Sequence, residues 1–114
     1  MTREEILGLE GRELDAAVAK SVMGDSTHRT DGGVLVVFGT NVVVPHFSFD
    51  ANAARLVLAE VERRGLHAAF IDALEDLIWP DPVDIPEAMG AWGFLTATPA
   101  QICRAALLSC MEVE

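Results

Sequence analysis

The fold class is indicated by one stretch of the sequence, Val34-Leu35-Val36-Val37-Phe38-Gly39-Thr40-Asn41-Val42-Val43-Val44-Pro45. Its two runs of β-branched and aromatic residues predict two strands, and Gly39-Thr40-Asn41 between them has the length of a three-residue hairpin turn. Pro45 ends the second strand, because proline has no amide proton to donate to a sheet ladder. The chain is therefore expected to contain an antiparallel hairpin.

Helical patterns precede this hairpin. Thr2-Arg3-Glu4-Glu5 is a capping box, in which a Thr hydroxyl and a Glu carboxylate satisfy each other's backbone amides. Leu14, Val18 and Val22 then recur at the spacing of an amphipathic helix, and Gly24 is placed to end it. The polar segment Asp25 to Gly33 is interpreted as a loop.

Two further helices follow the hairpin. The residues from Asp50 to Arg64 have one apolar stripe, with Ser48 or Asp50 as the N-cap and Gly65 as the terminator. Thr98-Pro99-Ala100-Gln101 begins the last helix, with Thr at the N-cap, Pro at the first turn and Gln three residues after the cap.

Two short apolar runs complete the pattern. His67 to Asp72 and Trp92 to Thr96 are both predicted as buried strands. The order is then helix, strands, helix, strands, helix, with no linker and no internal repeat. Residues 1–114 are expected to form a single α+β domain, a small and mostly antiparallel sheet flanked by about three helices.

Composition restricts the classes of function. The chain has 114 residues, a net charge of −10 and 51% hydrophobic residues, which is too apolar for a disordered chain. No apolar run is long enough to span a membrane, and the acidic N-terminus is not a secretory signal, so a cytoplasmic protein is expected. Direct nucleic-acid binding is disfavoured because the charge would repel a phosphate backbone.

Neither a disulfide nor a metal or other cofactor is predicted. Cys103 and Cys110 lie seven residues apart on one helix, about 10.5 Å between Cα atoms, beyond the reach of a disulfide. They are expected to be small core residues on one helix face. A zinc site would have to recruit His28, His46 or His67 without any recognisable ligand spacing.

His46-Phe47-Ser48-Phe49-Asp50 is the most suggestive local motif. In an extended conformation its three polar side chains would point one way, with His46 as base, Ser48 as nucleophile and Asp50 as orienting acid of a small hydrolase. The alternative is structural: Ser48 or Asp50 caps the following helix, and both Phe side chains bury in the core.

The segment Leu74 to Met89 contains three prolines, and no regular element is expected to cross it intact. Six carboxylates and no Lys or Arg lie between Asp72 and Glu87, without the spacing of a calcium loop. The acids are solvated, bind a hard cation such as calcium or magnesium through their carboxylates, or bind a basic partner. The residues of the last interpretation are Asp76, Asp81 and Asp84.

The two tryptophans receive different roles. Trp92 lies in a strand-like pattern and is expected in the core. Trp79, in the acidic segment, is the candidate for an exposed binding anchor, unless it folds back onto the domain.

Several segments together resemble one known family. They are Met1-Thr2-Arg3-Glu4-Glu5-Ile6-Leu7, then Gly11 to Ala19, Val22-Met23-Gly24, Val44 to Asp50 leading into Ala53-Ala54, and Ala97 to Leu108. In this order they are similar to the phage ABA-sandwich domain family of bacteriophages and prophages. The resemblance implies a layered α/β/α sandwich and a phage accessory protein in a bacterial cytoplasm. It assigns no catalytic or binding residues.

The expected function is therefore a non-enzymatic accessory protein that binds a host protein, such as a factor of anti-phage defence. One alternative is a sponge for a small nucleotide signal, whose phosphates would need Arg12, Arg55, Arg63 and Arg64 to converge. The other is the hydrolase based on His46, Ser48 and Asp50. A twofold homodimer is compatible with an apolar-rich domain of this size.

Overall fold

Six helices and one two-stranded sheet form in residues 1–79 and 87–112, the part of the chain that the computed structural model describes. The α+β class and the small antiparallel sheet are thus confirmed, with more helices than the three expected. The elements are α1 (Arg3–Leu7), α2 (Gly11–Ser21), β1 (Thr27–Arg29), β2 (Leu35–Val37), α3 (Ala51–Arg63), α4 (His67–Ile78), α5 (Glu87–Leu95) and α6 (Pro99–Glu112).

The predicted helix starts are confirmed by their hydrogen bonds. The Glu5 amide donates to Thr2 Oγ1 at 3.2 Å. The Asn52 amide donates to Asp50 Oδ1 at 2.8 Å, so Asp50 is the N-cap of α3. At α6 the Thr98 amide donates to Gln101 Oε1 at 2.8 Å, and the Gln101 amide donates to Thr98 Oγ1 at 3.2 Å. Each contact satisfies an amide that lacks a partner within its helix.

Gly65 ends α3 as predicted. Its φ of 69° lies in the left-handed region, which glycine adopts without steric cost. The Gly65 amide donates to Glu62 O and the Leu66 amide to Val61 O, both at 3.0 Å, the two bonds of a Schellman motif. This turn sends the chain directly into α4.

Helix α6 is the centre of the core. It packs against α1, α2, α3 and α4, and its residues from 105 to 110 are all buried. Cys103 is 0% exposed and Cys110 is 6% exposed, which confirms both as core residues. Ser109 is also buried, and its hydroxyl donates to Ala106 O at 2.7 Å, so its polar group is satisfied.

Two predicted strands are wrong. His67 to Asp72 is the first half of α4, and Trp92 to Leu95 ends α5. The run from 68 to 71 is too short to separate strand from helix. Continued into the acidic segment, Phe70, Ala73, Leu74 and Leu77 have the spacing of one helix face, and the first three are buried.

The sheet also differs from the predicted hairpin. The segment expected as a loop contains β1, which pairs with β2 through Thr27↔Val37, His28↔Val36 and Arg29↔Leu35. A turn at Thr30–Gly33 joins them, with the Gly33 amide donating to Thr30 O at 2.8 Å. Residues 42–44 lie on the other side of β2 but form only the isolated bridge Val36↔Val43.

No helix in the described ranges is long and apolar enough to cross a lipid bilayer. The prolines Pro80, Pro82 and Pro86 lie outside the described residues, as do Asp81 and Asp84.

Candidate functional site

The motif at residues 46–50 is a turn rather than an extended strand. The amides of Phe49 and Asp50 both donate to His46 O, at 3.1 and 2.8 Å. The expected burial of both Phe side chains is half right: Phe47 is 3% exposed, whereas Phe49 is 86% exposed. The tight turn rotates Phe49 away from the core, and it borders an open depression with His46, Asp50 and Ala51.

A buried aspartate on α2 holds this turn. Asp15 is 1% exposed, and its Oδ1 accepts a hydrogen bond of 2.8 Å from the Ser48 amide. Its Oδ2 accepts one of 2.9 Å from Arg12 Nη1. Arg12 also donates to Val44 O at 2.8 Å and to Pro45 O at 3.3 Å. The Arg12–Asp15 pair thus connects the end of the sheet region to α2 by hydrogen bonds. Each of the two charges has an opposite charge and further hydrogen bonds.

Asp15 was not predicted as a site residue, although its position in the apolar stripe of α2 is unusual for an acid. Asp15, Val18 and Val22 share a helix face, so an acid interrupts the apolar stripe, with Arg12 one turn earlier. A charged residue within a buried stripe requires an opposite charge and hydrogen bonds.

The side chains of His46, Ser48 and Asp50 do not form the hydrogen-bonded arrangement that a catalytic triad requires. His46 Nδ1 lies 3.9 Å from Asp15 Oδ2, and Ser48 Oγ donates to Gly11 O at 3.2 Å. Asp50 is occupied as the α3 cap. In the described part of the chain no side-chain hydrogen bond joins His46, Ser48 and Asp50 to one another. The capping alternative for Asp50 is confirmed.

The four candidate arginines do not form one basic pocket. Arg12 is bound to Asp15 and the two carbonyls. Arg63 and Arg64 both pair with Glu60, at 2.5 and 2.9 Å. Arg64 also donates to the carbonyls of Ser21 and Val22 at the end of α2. These two guanidinium groups lower the pKa of Glu60 to about 2. Arg55 borders a separate small depression with Leu58 and Ile102.

For Trp79 the alternative that it folds back onto the domain is confirmed, whereas the predicted core position of Trp92 is wrong. Trp79 folds back onto α5, where its ring meets Phe94 edge to face with centroids 5.8 Å apart. Trp92, expected in the core, is 67% exposed. Leu95, one turn later on the same helix, is 79% exposed. The prediction failed because it assigned a strand, in which alternate side chains are buried, to a helix that buries a different face.

Helix α4, against which α5 packs, carries acidic side chains on its exposed side. Asp72, Glu75 and Asp76 are all exposed. Helix α4 contains no Lys or Arg to offset them. Asp76 therefore lies at the surface as the sequence suggested, while its proposed neighbours Asp81 and Asp84 lie outside the described residues. Because α5 packs against α4, we group Trp92 and Leu95 with these three α4 acids under the name α4–α5 surface.

No group of three His, Cys, Asp or Glu side chains in residues 1–79 and 87–112 is arranged to hold a metal ion. Comparison with protein-family models, with curated proteins and with solved structures finds no match to this chain. Its function is accordingly inferred from its own residues.

Proposed function

We propose that the protein is a small, non-enzymatic phage accessory protein that binds a host protein in the bacterial cytoplasm through the α4–α5 surface. The observation that carries the proposal is the exposure of Trp92 and Leu95, 67% and 79%, on one face of α5. The resemblance to the phage ABA-sandwich family supports the biological setting.

Trp92 and Leu95 have the properties of a binding anchor. Residues three apart on a helix are neighbours, so the indole and the isobutyl group form one apolar patch. Single exposed apolar residues are common, but tryptophan is the residue most enriched among those that dominate binding energy at protein interfaces. Covering both side chains would contribute a few kcal/mol to association, at about 25 cal/mol per Å² of apolar area.

The charge of the α4–α5 surface selects the partner. Asp72, Glu75 and Asp76 are exposed, and the whole chain has a net charge of −10. The complementary surface is an apolar pocket ringed by Lys and Arg, as in the nucleic-acid-binding site of a defence protein. Opposite charge accelerates the encounter and fixes orientation, whereas the apolar anchor supplies affinity.

Affinity capture from extracts of bacterial hosts tests this proposal. The wild-type protein is expected to retain one host protein in a fixed ratio, and Trp92→Ala is expected to lose it. Leu56→Ala is the matched control, because Leu56 is 50% exposed on α3, outside the α4–α5 surface. Its capture should equal that of the wild type.

Charge reversal tests the electrostatic part. Asp72→Lys and Asp76→Lys should slow association and reduce its dependence on salt, without unfolding the domain. Capture that is equal for wild type and Trp92→Ala would contradict the proposal. A nucleotide released on denaturation, with no retained protein, would favour the sponge instead.

A further inference from the structure

Strand β2 lies in the middle of the sheet region, and strand β1 has an open outer edge. The amide of Val37 donates to Val42 O at 2.9 Å, and Leu35 O accepts from the Val44 amide at 3.0 Å. Leu35 and Val37 therefore direct their backbone groups away from β1.

Their partners on β1 are Arg29 and Thr27. Pairs along an antiparallel ladder alternate between hydrogen-bonded and non-hydrogen-bonded, and in a non-hydrogen-bonded pair both residues direct their amide and carbonyl groups away from each other. The backbone groups of Thr27 and Arg29 therefore point away from β2. The bonds from Phe38 N to Ser26 O and from Thr30 N to Val34 O confirm the alternation. No backbone hydrogen bond in the described ranges uses the outward amides and carbonyls of Thr27 and Arg29. Such a row of donors and acceptors is a template for another strand.

We propose that a second copy of this chain occupies the edge, with the two β1 strands antiparallel about a twofold axis at His28. In this register Thr27 lies opposite Arg29 of the partner subunit, and Arg29 lies opposite the partner's Thr27. Both are the residues with outward backbone groups, so each pair exchanges two hydrogen bonds and the axis makes four. The edge is self-complementary, as a twofold interface requires.

The groove beside the edge of β1 can accept the side chain of the partner's Arg29, which this register places next to it. Thr27 lines an open groove between β1, α1 and α2 whose other lining residues are Met1, Glu5, Ala16, Ala17, Lys20 and Ser21. The small Ala16 and Ala17 leave space at its wall. Arg29 of the partner subunit, opposite Thr27 on the same face, would enter this groove near the Glu5 carboxylate. Lys20 lies in the same groove, and its positive charge offsets part of the attraction between Glu5 and the partner's Arg29.

The other face of the pair also gains from dimerisation. His28 packs edge to face on Phe38, with centroids 5.4 Å apart, and Phe38 is 68% exposed. Opposed residues at a non-hydrogen-bonded position have Cα atoms about 4.5 Å apart, which brings the two His28 rings together. The His28–Phe38 pair of each subunit would then cover part of the exposed His28–Phe38 pair of the other subunit. This interface is separate from the α4–α5 surface. The dimer proposal and the host-binding proposal can therefore be contradicted independently.

Sedimentation equilibrium over about a hundredfold range of protein concentration tests the dimer, because association follows mass action. The wild type should pass from monomer to dimer. Thr27→Pro removes the outward amide and leaves the β1–β2 ladder intact, so dimer association should fall by about tenfold or more, since the symmetric dimer loses two hydrogen bonds. Thr27→Ala keeps the amide and should dimerise like the wild type.

Amide hydrogen exchange on the wild type gives an answer even if Thr27→Pro does not fold. The amides of Thr27 and Arg29 should become protected as the dimer forms, while that of His28 should be protected at all concentrations because it belongs to the internal ladder. A chain that stays monomeric throughout would overturn the proposal. So would a dimer in which the Thr27 and Arg29 amides still exchange freely.

Discussion

The indole of Trp79 lies directly over Gly93. A Cβ atom at position 93 would stand 2.4 Å from Cη2 and 2.5 Å from Cζ2 of the indole, closer than two carbons can approach. Glycine on α5 thus lets Trp79, the residue that follows α4, pack against the domain. Because adjacent helix residues point about 100° apart, the face of α5 that receives Trp79 is not the face that carries Trp92.

Gly93→Ala should therefore destabilise the protein. The added methyl group must displace the Trp79 ring or Ile78, at a cost of about 1–3 kcal/mol that exceeds the gain of about 1 kcal/mol from better helix propensity. Gly90→Ala is the control, because nothing lies within 4 Å of a Cβ there. Urea unfolding should show a gain of up to about 1 kcal/mol for Gly90→Ala. Equal gains in both variants would show that Trp79 does not pack on Gly93.

Asp15→Ala should be among the most destabilising single changes. It removes the acceptor for Arg12 and for the Ser48 amide, and breaking a buried ion pair typically costs about 3–5 kcal/mol. Glu13→Ala, an exposed acid on the same helix, should cost less than about 1 kcal/mol. Chemical denaturation of both variants checks this. A cost for Asp15→Ala close to that of Glu13→Ala would contradict the structural role.

Glu60 gives stability a specific dependence on pH. Its two arginine partners lower its pKa from 4.5 to about 2 in the folded protein. A depressed pKa means that the folded state favours the carboxylate, so the stabilisation is fully present above pH 4.5 and is lost as the pH falls towards 2. The stability difference between wild type and Glu60→Gln should shrink over that window.

The matched control is Glu62→Gln on the same helix, since no ion pair of Glu62 is present in the described residues. The Glu60→Gln difference should change more over this window than the Glu62→Gln difference. The Glu60 effect should also weaken with added salt, because the pair lies at the surface. A Glu60→Gln difference that is independent of pH would contradict the ion-pair assignment.

Cys103 should be inert in the native protein. Burial raises the pKa of its thiol from 9.0 to about 12, with the Asp15 charge adding to the effect. Three pH units correspond to about a thousandfold less thiolate, the reactive form. In a Cys110→Ala background, a thiol reagent at pH 8 should label the native protein far more slowly than the protein unfolded in urea. Similar rates would show that Cys103 is accessible.

Local signals explain what the sequence predicted correctly. The caps at Thr2, Asp50 and Thr98 and the terminator at Gly65 depend on residues within one helical turn, and all four form as expected. Periodicity was equally reliable where the helix is longer than ten residues, as in α2 with 11 residues and α3 with 13.

Non-local contacts explain what was missed. A four-residue run such as 68–71 has no period of its own, so its helical state depends on packing against α6. Residues 42–44 lie beside β2 as expected, although they form only a bridge. The second partner of β2 was missed because β1 is polar and has no strand pattern; the turn at Thr30–Gly33 brings it into register. The exposure of Trp92 depends on which face of α5 packs on α4, which composition does not determine.

Site-specific photo-crosslinking shows directly whether a host protein binds at Trp92. A photoreactive phenylalanine analogue replaces Trp92, and in a second protein it replaces Leu56, which is also exposed but lies on α3. After irradiation in host extract, we expect one dominant crosslinked host protein at position 92, competed away by unlabelled wild type, and none at position 56. The same host protein crosslinked equally from both positions, or none from position 92, would contradict the proposal.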